Sequence, residues 1–320
     1  MTISQTNPNQ LRQPDDDGPG GIIQVPVERQ PEAIARLLAT GPHPDRDHAR
    51  RFIDFARDHR ISLLGMWSRL DRQGRIVSTV LTVPSPGRTA MVFASRPAGA
   101  GSLPSLSELI DHAARQLPQL NVNLAQVLLE PGESLEHRAF AAAGFQDLAI
   151  LSYLERPLHS PRPQPRPIWP AGIEAITFNE SLHDELIDVL DRSYEDTLDC
   201  PGLRGHRRTV DILEGHRASG TFDPNLWTIV RERGTAVGAL LLNPSADHHA
   251  MELVYLGLAK AARGRGLGRR LLQHGLALVD NRSERSMNLA VDEANQPALS
   301  LYLAEGFKQA LRRRAMIRPL

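Results

Sequence analysis

The sequence predicts an α/β protein built of two tandem copies of one fold, each a mixed, mostly antiparallel sheet flanked by helices. Three observations point there. The 320 residues suffice for two domains, each with its own core. Strand-like and helix-like segments follow one another in an order that occurs twice. The two ends also superpose without a gap at an offset of 162: Ala142–Phe145 (AAGF) faces Ala304–Phe307 (AEGF), and Arg156–Leu158 faces Arg318–Leu320, both RPL. A repeat this long means two copies of a domain rather than a solenoid.

The C-terminal half carries the clearer pattern. Leu182, Leu186, Val189, Leu190 and Tyr194 recur at helical spacing, which predicts a helix over 180–194. RTVDILEGHR, 208–217, is a second, short helix. Trp227–Glu232 and Thr235–Asn243 read as a hairpin turned at Arg233-Gly234. Met251–Leu258 is a further strand, and Gly268–Asp280 is a helix with Leu271, Leu272, Leu276 and Val279 on one stripe. Ser286–Asp292 is a strand. Asn295 caps a helix with Pro297 in its first turn and Gly306 as its stop, and a final strand ends the chain.

The N-terminal half repeats this order more faintly. A hairpin over 61–83 turns at Asp71–Gly74, and 89–95 is a strand. A helix over 105–117, a strand over 123–130, a helix stopped at Gly144 and a last strand follow. The boundary between the halves is HSPRPQPRPIWP, 159–170, whose alternating prolines predict an extended linker. The expected organisation is a disordered tail over 1–20, a domain over 21–158, the linker, and a domain over 171–320.

Composition narrows the function classes. Lys+Arg and Asp+Glu both number 37, so the formal net charge is zero. That makes no electrostatic case for nucleic-acid or anionic-membrane partners. Cys200 is the lone cysteine, which excludes an intrachain disulfide and a Cys-rich zinc site and suits a reducing cytoplasm. The polar first residues do not read as a signal peptide, and no apolar run reaches the ~18 residues of a membrane span. His206, His248 and His249 lack ligand spacing to a second cluster, so no metal is expected.

The chemistry is concentrated at RGRGLG, 263–268, between a strand and a helix. The first N–H groups of a helix lack partners and carry the positive end of its dipole, and glycines let an anion approach the backbone. The junction is suited to phosphate, with Arg263, Arg265 and Arg269 available for charge-assisted bonds. The spacing G-x-G-x-G fits neither the dinucleotide fingerprint nor the P-loop. From spacing alone, a tight turn without ligand stays an alternative.

LGLAKAARGRGLGRRLL resembles the acyl-CoA motif of the GNAT superfamily of N-acetyltransferases, read here as Arg263, Gly266 and Gly268. NQPALSLYLAEGF resembles that family's next motif, an Asn-led helix with a Tyr that closes in Gly-Phe. The resemblance covers the whole C-terminal half, and the N-terminal half shares it in element order only. It implies two GNAT-like domains in tandem, acetyl-CoA as co-substrate, and direct transfer of an acetyl group to a primary amine on a small molecule or a protein. Backbone groups of Leu256, Gly257 and Leu258 would pair with the pantetheine arm. N–H groups of Gly264, Arg265, Gly266, Leu267, Gly268 and Arg269 would hold the pyrophosphate, and Asn295 would bond the cofactor from the far side. Glu252 would act as base and Tyr302 as the acid for the leaving thiolate.

The first copy departs from this pattern. The offset puts Phe140 opposite Tyr302 and Glu133 opposite Asn295, and SRPAGAGSLPS offers Gly99 and Gly101 without the arginine–glycine motif. The N-terminal copy is therefore expected to brace the other and not to catalyse. On the acceptor side, Asp196 and Asp199 suit a cationic amine, and Arg204, Arg207 and Arg208 suit a carboxylate or phosphate. Cys200 is expected to be a packed residue, since direct transfer needs no nucleophile on the protein. Two other readings are a non-catalytic acyl-CoA sensor and a mycothiol-synthase-like acetyltransferase. A cytoplasmic monomer or homodimer is expected.

Overall fold

The computed structural model describes residues 20–39, 46–59, 61–158, 164–245 and 249–320. Nearly all of the expected tail, the first five linker residues and His248 lie outside these. The first half of the chain forms β1 (Ile22–Gln24), α1 (Gln30–Leu38), α2 (Arg46–Asp58), β2 (Met66–Leu70), β3 (Ile76–Ser85), β4 (Thr89–Ala94), α3 (Leu103–Gln116), β5 (Leu124–Leu129), α4 (Leu135–Ala142) and β6 (Gln146–Pro157). The second half forms β7 (Ile173–Thr177), α5 (His183–Tyr194), α6 (Thr209–Ala218), β8 (Trp227–Glu232), β9 (Thr235–Ser245), β10 (Ala250–Leu258), α7 (Leu267–Leu278), β11 (Ser286–Asp292), α8 (Gln296–Ala304) and β12 (Lys308–Pro319). The offset of 162 survives in the folded chain: Gln146 and Pro157 bound β6, Lys308 and Pro319 bound β12. The elements before β2, and β7, carry no clear sequence pattern and are seen only in the structure.

The described chain forms two compact units. One takes the residues up to Val83 together with Val92–Gln116 and Glu133–Gly144. Here α1 and α2 bury Ala33, Ile34, Ala35 and Ala49 against Met66 and Leu81 of the β2–β3 hairpin. That hairpin turns where expected, because the Asp71 carboxylate accepts the N–H groups of Gln73 and Arg75, both at 2.9 Å. In α4, Ser134 Oγ caps the helix by accepting the His137 N–H at 3.1 Å.

The other unit takes Pro84–Met91, Leu117–Gly132 and Phe145–Leu320. Its sheet is mixed, in the order β4-β5-β12-β6-β11-β10-β9-β8-β7. Parallel pairs join β4 to β5 and β10 to β11, and the other neighbours are antiparallel. One face packs on α7 and α8 through Leu267, Leu271, Leu272, Leu276 and Tyr302, over Leu240, Leu242, Met251, Leu253 and Leu289. The opposite face packs on α5 and α6 through Leu186, Val189, Leu190 and Leu213, over Trp227, Ile229 and Leu241.

The sheet order contains an exchange. β6 leaves α4 of the first half and pairs with β11 of the second, Leu151–Pro157 against Ser286–Asp292. β12 leaves α8 of the second half and pairs with β5 of the first, Arg314–Pro319 against Leu124–Leu129. β6 and β12 then pair with each other at the centre. Each half thus lends its last strand to the other half's sheet, and Leu154 of β6 becomes part of the core under α7 and α8.

Candidate active site

β10 and β11 pair in parallel at only three positions, Ala250–Glu252 with Ser286–Asn288. Beyond these, β10 continues along β9 to Leu258 and β11 continues along β6 to Asp292. The two strands therefore part, and the peptide groups of β10 that face the gap have no strand to bond. An extended ligand can add there as a short strand would. β10 also bulges at the fork: Leu253 pairs with Leu242 and Tyr255 with Leu241, so Val254 is the extra residue. A bulge re-aims the side chains that follow it. Val254 and Tyr255 accordingly both pack on the α5–α6 face, while Leu256 and Leu258 pack on the other.

A cavity of about 390 Å³ lies at the fork, lined by Glu252, Leu253 and Val254 of β10, Asn288 and Leu289 of β11, and Tyr153 and Glu155 of β6. The Glu252 carboxylate accepts a hydrogen bond from Ser219 Oγ at 3.2 Å. Ser219, which follows α6, is held in turn by Asn243. The Asn243 amide donates to the carbonyls of His216 (2.7 Å) and Ser219 and accepts from Trp227 Nε1 at 2.8 Å. All the polar atoms of this fully buried side chain are thereby used, as burial requires. Burial pushes the Tyr153 phenol up, and the Glu252 carboxylate beside it adds to the shift against the opposing pull of Arg313.

The glycine junction is open backbone. Gly264 (φ +72) and Gly266 (φ +75) adopt the left-handed conformation that turns the chain into α7. A Cβ on Gly264 would meet nothing within 4 Å, and one on Gly266 would meet only the tip of Arg270, at 3.0 Å. The first bond of α7 runs from the Arg270 N–H to the Gly266 carbonyl, at 3.4 Å. The N–H groups of Leu267, Gly268 and Arg269 therefore have no acceptor in the helix. Gly99 and Gly101, at the matching junction of the first half, carry no left-handed turn.

The arginines of the junction are turned to protein partners. Arg263 donates to the carbonyls of Leu258 (3.1 Å), Ser193 (2.8 Å), Glu195 (2.8 Å) and Asp196 (3.0 Å), and so caps the C-terminal end of α5. Arg265 grips Glu232 with two bonds, at 2.9 and 2.6 Å, which hold that carboxyl below the usual range. Arg269 stands 3.4 Å from Glu305. Backbone N–H groups and the helix dipole add to the positive potential of the junction. On β10, Gly257 lies under the Tyr255 hydroxyl, where a Cβ would stand 2.2 Å away.

Asn295 Oδ1 accepts the Ala298 N–H at 3.3 Å and caps α8. Tyr302 is buried, with its ring edge-on to Phe307 at 5.7 Å. Burial pushes its phenol up, so it is protonated at neutral pH. It packs in the core under α8 and is not among the side chains that line the cavity with Glu252.

The acceptor-side residues divide. Asp196 pairs with Lys260 at 2.6 Å. Asp199 accepts the Asp292 N–H at 3.0 Å, and Asp292 accepts the Cys200 N–H at 3.1 Å. Burial, with both carboxylates nearby, pushes the Cys200 thiol up and away from nucleophilic use. Arg208 is bonded to Asp211, while Arg207 faces a second cavity. Sequence reasoning missed Tyr153, Glu155, Ser219 and Asn288. Tyr153 and Glu155 had no local signal, because strand exchange brings them to the fork from the other half. Among the described residues no helix is long and apolar enough to cross a membrane.

Residues 190–307 match the model of the Acetyltransferase (GNAT) family. The mycothiol acetyltransferase of Thermobispora bispora is 30% identical over 176 residues, 53% of this chain and 57% of that protein. The mycothiol acetyltransferase of Catenulispora acidiphila is 29% identical over 174 residues, 52% of this chain and 53% of its own. The chain thus spans little more than half the length of these relatives. Among solved structures, a GCN5-related N-acetyltransferase from Sphaerobacter thermophilus matches with a TM-score of 0.60 at 20% identity, over 93% of this chain and 95% of its own. A tandem GNAT protein from the clavulanic acid biosynthesis pathway matches with a TM-score of 0.50 at 17% identity, over 91% and 94%. At these identities the likeness is one of fold.

Proposed function

We propose that the protein transfers an acetyl group from acetyl-CoA to a primary amine by direct attack, at the β10–β11 fork. The observation that carries this reading is the fork itself. An unpaired strand edge, a bulge and the acceptor-less N–H groups of α7 lie along one path, with Glu252 at its inner end. The residues fit acetyl-CoA, because the cradle at Gly264 and Gly266 is space that a Cβ would enter. Leu256, Gly257 and Leu258 would hold the pantetheine arm by backbone bonds, the N–H groups from Gly264 to Arg269 the pyrophosphate, and Asn295 the far side. Bound acetyl-CoA supplies the acyl thioester.

The chain's own groups do the rest. A Lys-type ammonium, pKa about 10.4, leaves only about one amine in 10³ free at pH 7. Glu252 takes the amine's proton, directly or through a water, a contribution of typically 10²–10⁴-fold. A backbone N–H near Leu258 faces the acetyl oxygen as negative charge develops there. The protonated Tyr302 phenol donates to the departing sulfur. Residues 171–320 form the catalysing copy, completed by β6, and 21–158 form a copy that braces it. The mycothiol acetyltransferases among the relatives support a thiol-sugar amine as one acceptor to include.

The test is thiol release from acetyl-CoA across a panel of amines. Turnover is expected for the wild type. Glu252→Gln should lose about 10²-fold or more in kcat, and Tyr302→Phe should lower kcat with little change in acetyl-CoA affinity. Tight acetyl-CoA binding with no turnover on any amine would leave a non-catalytic sensor.

A further inference from the structure

A second cavity, of about 360 Å³, lies beside the first. It is lined by Ser85, Pro86 and Thr89 of the β3–β4 turn and by Arg207, His216 and Ser219 of the α6 region, among others. Ser219 lines both cavities, and its hydroxyl is the donor to Glu252. The acid proposed as base and this second cavity therefore share a wall at one hydroxyl.

The charge in this cavity is unbalanced. No carboxylate among the described residues comes within ion-pair distance of Arg207. Asp211, four residues on, gives both oxygens to Arg208, at 2.9 Å each. Arg207 makes only two long bonds, from Nη2 to the carbonyls of Gly87 (3.2 Å) and Asp211 (3.4 Å), and its buried Nε has no acceptor. A guanidinium stays charged at any physiological pH, and burying part of it without an anion is costly.

The place for it is nevertheless built. A Cβ on Gly87 would stand 2.7 Å from Arg207 Nη2, and one on Gly215 would stand 3.2 Å from it. Both positions lack a side chain where the guanidinium lies. His216 Nε2 is also buried without a partner. Burial, then the charge of Arg207, drives its imidazole down to about 4, so at neutral pH it is uncharged. A neutral imidazole can donate one N–H to an anion without adding a charge of its own.

We propose that the acceptor is an amine with a second, anionic group, a carboxylate or a phosphoryl. Arg207 and His216 hold that group in the second cavity, and the amine lies across Ser219 at Glu252. This rests on the acetyltransferase reading above and narrows its substrate class. An anion completes both unmet donors at once, which a neutral acceptor does not do.

The test uses the full chain and a ladder of ω-amino carboxylates, ω-aminoalkyl phosphates and the matching amino alcohols. Calorimetric binding without acetyl-CoA is measured beside thiol release with it. At the best chain length, one anionic series should bind at least about tenfold more tightly than the alcohol, as a charge-assisted bidentate contact allows. The stronger series identifies the anion. Arg207→Met should abolish the preference while leaving the weak binding of the alcohols unchanged. If that variant does not fold, Arg207→Lys decides, and it should weaken only the anionic probes, by at least about threefold.

Equal binding of the alcohols by the wild type overturns the proposal. So does a variant that weakens all probes alike, since Arg207 would then be only a strut under the β3–β4 turn. The two readings fail separately. Anion-selective binding with no thiol release on any amine sinks the acetyltransferase and keeps the anion site. Thiol release without charge preference does the reverse.

Discussion

Leu154→Ala tests the strand exchange through its energetics. Leu154 is 1% exposed and sits on β6, a strand of the first half, between Leu289 of β11 and Gln309 of β12. Its side chain packs in the core under α7 and α8 of the second half. Truncation removes three carbons, about 2.4 kcal/mol at ~0.8 kcal/mol per buried methylene. The cavity left between two paired strands adds to this, giving about 3–4 kcal/mol, within the usual span of buried Leu→Ala changes. Against a typical stability of about 5–15 kcal/mol, that is a large fraction. Urea unfolding, followed by circular dichroism and tryptophan fluorescence, should show the midpoint lowered by about 1 M or more. Amide exchange should accelerate along β11, which β6 pairs from Ser286 to Asp292. Leu128→Ala, on β5 with 37% exposure, is the control and should stay within about 1 kcal/mol. A Leu154→Ala protein as stable as that control, or one with β11 exchange unchanged, would refute the placement of β6 in the second half's core.

Two further outcomes are expected. Gly266→Leu puts a branched side chain at φ +75 and over the N–H groups of α7, so calorimetry should show weakened CoA binding; wild-type affinity would sink the phosphate cradle. His216 gives stability an acid limb. Its imidazole falls from the ordinary 6.5 to about 4 in the folded chain, so the fold favours the neutral form. That contribution is complete above about pH 6.5 and is lost as the pH falls toward about 4, a change of at most about 3 kcal/mol. Urea midpoints measured across this window should decline for the wild type and stay flatter for His216→Gln. Parallel declines would mean that His216 is not the titrating group.

Much was legible in the chain itself. Periodicity set α5, α7 and the β8–β9 hairpin, because an amphipathic stripe and a short apolar run are local properties. The offset of 162 announced two copies of one fold. RGRGLG marked a tight turn between a strand and a helix, and Gly264 and Gly266 are left-handed there, because only glycine takes that conformation without strain. NQPALSLYLAEGF pointed by resemblance to one family, whose model matches residues 190–307. The pairing of Arg263 with the carbonyls of Ser193, Glu195 and Asp196 was not legible, because those partners lie about 70 residues away and only the fold brings them near.

Local pattern was enough for most elements from β2 onward and for the glycine turn that leads into α7. The tertiary structure alone decided which half completes which sheet. β6 and β12 have the same length and each follows the last helix of its half, and local pattern cannot say which neighbour each takes. Pairing is settled by burial across strands, and here it carries Leu154 into the other half's core and Tyr153 into the cavity of Glu252. The structure likewise separated Arg207 from Arg208. In the chain they are adjacent and chemically alike, but Asp211 neutralises one, and a pocket between Gly87 and Gly215 leaves the other without an anion.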